Sequence, residues 1–114
     1  MTVLYPASRA SPIKLGYKDP DSVLDYAVLW DDWLSADEII LTETIEVTTG
    51  ITIDSHEINT VALTLNGATQ KIGSVVTIWL SSGTVGVTYT ISCKVTTSSG
   101  RTDERSFLLM IRER

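Results

Sequence analysis

Residues 87–97 hold the strictest pattern in the chain and constrain its fold more than any other stretch. Val87, Tyr89, Ile91, Cys93 and Val95 alternate with Thr88, Thr90, Ser92, Lys94 and Thr96. A two-residue period of this kind belongs to a β-strand with one dry face and one wet face. Ser98-Ser99-Gly100-Arg101-Thr102-Asp103 then supplies turn residues. Arg105–Arg112 returns with Phe107, Leu109 and Ile111 on the dry side, which predicts a terminal hairpin.

The same period recurs upstream. Tyr26, Val28 and Trp30 share one face of a predicted strand, and 31–37 breaks the pattern as a turn whose Trp33 or Leu34 packs onto the core. Ile39, Leu41, Ile45 and Val47 are expected on one face of the next strand, followed by Thr49-Gly50 and a short edge strand over 51–53. Val61, Leu63 and Leu65 lead to Asn66-Gly67, a strong signal for a tight primed turn. Val75–Leu80 alternates Val76, Ile78 and Leu80 with Thr77 and Trp79. Asp19-Pro20 opens either a short helical turn over 21–24 or a turn directly into a strand.

About seven short strands without helical periodicity predict an all-β fold, an immunoglobulin-like antiparallel β-sandwich preceded by an extended N-terminal arm. Tyr89, entering the penultimate strand just after Gly86, stands where such sandwiches place a corner tyrosine whose hydroxyl bonds back to upstream backbone.

At 114 residues the chain has room for one core. The expected organisation is an arm over 1–18 and a sandwich over 19–114. Charge follows a similar division. Residues 1–18 carry three bases and no acid, 19–57 carry eleven acids and no lysine or arginine, and 58–114 again carry a net +3. The acidic body argues against nucleic acid as the main ligand. Blocks of opposite sign either steer docking or simply face water on different strands. No apolar run is long enough to cross a bilayer, and the first residues lack the pattern of a signal peptide, so the expectation is a protein made in the cytosol and kept or assembled there, without membrane attachment.

Catalytic chemistry has little support. The chain has no nucleophile elbow, phosphate loop, zinc-protease helix motif or dinucleotide fingerprint. Cys93 and His56 are single residues of their kinds, read as a core thiol and a surface-turn histidine. Asp31, Asp32, Asp37 and Glu38 would suit a carboxylate pair or Ca²⁺ only loosely, because their spacing does not match a calcium loop; they read first as solvated turn acids. Neither a cofactor nor a metal is expected. The hairpin tip bearing Arg101, Asp103 and Arg105 is either a contact loop or a place where the arginines pair with Asp103 and Glu104. Trp30 and Trp33 read as core anchors, whereas an outward Trp79 would mark an interface.

Several stretches carry a resemblance. Lys18-Asp19-Pro20-Asp21-Ser22-Val23-Leu24-Asp25-Tyr26, with Trp30 and Trp33-Leu34, is similar to the opening of small virion-associated proteins of tailed bacteriophages, often labelled fiber-DNA tether proteins. Gly50–Ser55, Trp79–Thr84 and Thr96–Ser106 resemble the same family. The likeness runs over roughly residues 17–112. The segment 61–74 is longer than the family pattern, and the arm precedes it. The resemblance implies an immunoglobulin-like virion structural protein without a catalytic group.

The expected function is therefore a non-enzymatic virion protein of the head or neck, decorating the capsid or anchoring a fiber or collar. Its expected partners are other virion proteins and further copies of itself. The arm would assemble by burying Tyr5, Ile13, Leu15 and Tyr17. The alternatives are a surface module that binds host carbohydrate and a tail or baseplate accessory.

Overall fold

A computed structural model describes residues 2–4, 15–65 and 67–113. Among them the chain forms ten strands: β1 (Thr2–Leu4), β2 (Leu15–Lys18), β3 (Leu24–Leu29), β4 (Ile40–Val47), β5 (Ile51–Ile58), β6 (Leu63–Leu65), β7 (Ala68–Gln70), β8 (Val75–Ser82), β9 (Thr88–Thr97) and β10 (Thr102–Ile111). One sheet has the order β1-β3-β8-β5 and the other β2-β10-β9-β4, while β6 and β7 form a separate hairpin. The fold is an all-β sandwich, as the alternation predicts. β1 runs parallel to β3 and β2 parallel to β10; the remaining pairs are antiparallel.

The dry faces meet between the sheets. Tyr26, Val28, Val76, Ile78 and Leu80 from one sheet pack against Ile91, Cys93, Val95, Phe107, Leu109 and Ile111 from the other. Trp30, fully buried, closes one end of this core. Burying a large apolar side chain contributes about 1.5–3 kcal/mol, so the continuous inner faces of β8, β9 and β10 dominate stability. The Tyr89 hydroxyl accepts a hydrogen bond from the Thr84 backbone N–H at 3.0 Å, the corner bond expected from its position.

One alternative is decided, and two local expectations, in β4 and in β5, are corrected. Asp19 forms a side-chain turn, its carboxylate accepting from the Asp21 N–H at 2.8 Å, and the chain enters β3 without a helix. In β4 a bulge between Ile40 and Thr42 breaks the assumed common face. Ile40 is buried, Ile39 and Leu41 are exposed, and only beyond the bulge do Ile45 and Val47 turn inward. β5 extends to Ile58, so His56 lies in a strand rather than a turn. Its Nδ1 meets the Glu43 carboxylate across the open edge between β4 and β5. Among the described residues the strands number ten: β1, β2, β6 and β7, of three or four residues each, stand beside six longer ones. Residues 2–4 and 15–18, within the span expected as an arm, pair with β3 and β10.

Candidate functional site

Trp79 occupies the outward face of β8, beside Asp25 of β3 in direct register. On the other flank, Glu57 of β5 stands opposite Thr77, which places it diagonally from Trp79. Period-two alternation produces this arrangement: the steps that send Ile78 and Leu80 into the core send Trp79 out, leaving it 39% exposed. An open cleft of about 290 Å³ is lined by Trp79, Asp25 and Glu57 together with Asn59, Thr60, Val61, Leu63 and Thr77. Neither Asp25 nor Glu57 makes a hydrogen bond or ion pair among the described residues. Among the described residues that line the cleft, Asp25 and Glu57 are the charged ones and no lysine or arginine is present.

The far wall is the excursion that carries β6 and β7, and Asn59 holds its base. The buried Asn59 amide donates to the carbonyls of Val61 at 2.8 Å and Lys71 at 2.9 Å. Its Oδ1 accepts from the backbone N–H groups of Ser74 and Val75, both at 3.0 Å. One side chain thus satisfies four backbone groups where the chain leaves and rejoins the sheet. Gly73 completes the return: its φ is +75°, and a Cβ there would stand 2.7 Å from Ile39 Cβ.

At the end of the sandwich beside Trp30, a second cluster joins the 30–38 turn to the last hairpin. Trp30 and Trp33 pack edge to face with ring centroids 5.4 Å apart. Arg101 lies 4.2 Å from the Trp33 ring centroid and Arg105 lies 4.3 Å from that of Trp30. Each guanidinium is also held by a carboxylate: Arg101 donates to Glu38, and Arg105 donates to Asp32 at 3.1 and 3.3 Å. Glu38 accepts further bonds from Thr97, Ser99 and the Ser35 N–H. The Arg101 guanidinium, followed by these donors, holds the Glu38 carboxyl well below the usual carboxylate range. The Ser-x-x-Glu spacing of 35–38 is what lets Glu38 reach back to the Ser35 N–H.

The family model of the podophage GP4 fiber-tail adaptor protein gp77 matches residues 18–110. The chain belongs to this family. No curated protein matches it. Membership agrees with the sequence resemblance at the level of a phage virion structural family, and the matched span contains both the Trp79 cleft and the arginine-capped end.

The residues singled out from sequence fall in different places. Trp79 lines the cleft. Arg101 and Arg105 bond to Glu38 and Asp32 rather than to Asp103 and Glu104 across the hairpin, because the 30–38 turn folds over the tip. Asp103 is exposed and accepts from the Glu104 N–H at 2.9 Å. Tyr17 is half-buried in β2 with the Arg112 guanidinium 3.8 Å from its ring centroid, and Leu15 pairs with Leu108. Tyr5 and Ile13 lie outside the described residues. Sequence reasoning missed Asp25, Glu57 and Asn59; only the strand register brings the two acids to Trp79. Among the described residues no cluster of metal-ligating side chains is present. Cys93 is fully buried, and burial pushes its thiol pKa up to about 12, leaving it no nucleophile.

Proposed function

We propose that this chain is a non-enzymatic component of the tailed-phage virion that joins a fiber to the tail or neck. The family match across residues 18–110 carries this reading. It favours fiber anchoring over capsid decoration, the other half of the sequence expectation. The sandwich suits such a joint. Its core is continuous, its end is tied by two arginine–tryptophan–carboxylate sets, and its outer face presents an open cleft. Recognition then falls to loops and outward faces mounted on a rigid body.

Two features support assigning the sandwich to the immunoglobulin-like kind. The sheet orders β1-β3-β8-β5 and β2-β10-β9-β4 correspond to the four-strand and three-strand faces of that fold, with β2 added beside β10. Tyr89 makes the corner hydrogen bond.

The decisive experiment counts this chain in purified particles against the major capsid subunit. A small, ring-sized number, lost together with the fibers when the gene is deleted, is the expected result. A number comparable with the capsid subunit would make it a shell protein. Absence from the particle would overturn the virion reading.

A further inference from the structure

We infer that the Trp79 cleft is a receptor for an arginine side chain presented by another virion protein, an inference that rests on the adaptor reading. The argument comes from how this chain treats its own aromatic rings. Trp33 is covered by Arg101, whose guanidinium is also held by Glu38; Trp30 is covered by Arg105, whose guanidinium is also held by Asp32. Tyr17 is covered by Arg112. Trp79 is the remaining tryptophan. It has the ring and the carboxylates, Asp25 in direct register and Glu57 on the diagonal, but among the described residues no cation lies over it.

Charge and shape favour the same occupant. The eight lining residues include two acids and no base, so a cation entering the cleft meets two carboxylates beside an electron-rich indole. A planar guanidinium stacks on an indole while donating sideways to carboxylates, and an ammonium does this less well. Val61 and Leu63 on the hairpin wall fit the methylene stem that carries such a head group. At about 290 Å³ the cleft suits a single side chain and its flanking backbone. A fiber or tail subunit with an exposed arginine on a loop or extended terminus is the matching partner.

The test titrates the isotope-labelled full chain with Nα-acetyl-arginine amide, its uncharged citrulline analogue and N-acetylglucosamine, following amide and indole resonances. The expected result is that the arginine compound moves the Trp79 indole N–H and the amides of Asp25, Glu57 and Val61, while citrulline and the sugar leave them in place. Asp25→Asn with Glu57→Gln should weaken the arginine response by roughly fivefold or more. The same spectra report whether that variant is folded, and Trp79→Phe supplies a second, milder change. Equal responses to arginine and citrulline, or a response to the sugar alone, would overturn the inference. Failure here is separable from failure of the adaptor reading, because the particle count does not depend on the cleft. A chain present in ring-sized number whose cleft ignores arginine is still an adaptor, docking elsewhere.

Discussion

Arg101 reaches from the tip of the last hairpin to Glu38, 63 residues earlier, and holds a carboxylate that is only 3% exposed. The contact fastens the 30–38 turn over the end of the core, so it couples the position of Trp33 to that of the hairpin. Glu38→Gln and Arg101→Met should each lower the urea midpoint of unfolding. The double variant should fall close to the worse single one, because either change removes the same contact. Additive losses in a double-mutant cycle would show that the two side chains act independently.

The same carboxylate sets a pH dependence. Arg101 and the neighbouring donors hold the folded Glu38 carboxyl well below its unfolded value of about 4.3. A group depressed on folding contributes stability that is fully present above the unfolded pKa and is lost as pH falls toward the folded one. Wild-type protein and Glu38→Gln should therefore differ by a constant margin at neutral pH, and the margin should close as the pH falls below about 4. Stability curves from pH 7 down to acid check this. A margin unchanged in acid would mean that Glu38 is not held as an anion.

Cys93 offers a direct probe of the core. Its thiol is fully buried in β9, and its pKa is raised to about 12, chiefly by burial. An aromatic disulfide reagent at pH 8 should leave the native thiol unmodified and react with it fully in denaturant. Fast reaction of the native chain would show that the β9–β10 layer opens locally.

Tyr89 does two jobs that separate cleanly. Its hydroxyl accepts from the Thr84 N–H, and its ring covers Gly50, where a Cβ would approach Cε1 to 2.9 Å at a φ of +118°. Because Thr84 is exposed, water can replace the lost acceptor, and Tyr89→Phe should cost about 0.5–1.5 kcal/mol. Gly50→Ala adds both backbone strain and a collision with the ring, so it should cost more, on the order of 1–3 kcal/mol from strain alone. Paired urea titrations decide the order; a Tyr89→Phe loss exceeding that of Gly50→Ala would reverse the assignment.

The sandwich was legible in the sequence wherever hydrophobic alternation ran unbroken. β9 follows it residue by residue, and so do the inward Val76, Ile78 and Leu80 of β8 and Phe107, Leu109 and Ile111 of β10. Alternation failed at β4, because a bulge adds one residue and reverses the face while leaving the spacing of isoleucines and leucines looking regular. It also failed for β5, whose polar run over 54–57 reads as a turn but pairs with β8 at an exposed edge. Outward Trp79 was visible as a step of the period, yet its acidic neighbours were not. Asp25 is 54 residues from Trp79 in the chain, and no local signal encodes which strands will be neighbours. The arginine contacts escaped for the same reason: charge spacing within the hairpin suggests Asp103 and Glu104, whereas the turn packed across it supplies Glu38 and Asp32.

Asn59 is the residue on which the cleft's far wall depends. Its amide donates to two carbonyls and its oxygen receives two backbone N–H groups, so no other side chain of similar size can replace it. Asn59→Asp keeps the acceptor for Ser74 and Val75 but removes the donors to Val61 and Lys71. Asn59→Ala removes all four contacts and leaves buried backbone groups without partners, each costing about 1–3 kcal/mol where water cannot reach. The alanine variant should therefore lose at least about 2 kcal/mol of stability, with the aspartate variant between it and the wild type. Amide hydrogen exchange locates the effect: protection at Ser74 and Val75 should drop in the alanine variant, while β9 and β10 stay protected below global unfolding. If exchange rises equally throughout, Asn59 supports the whole sandwich and not the hairpin base alone.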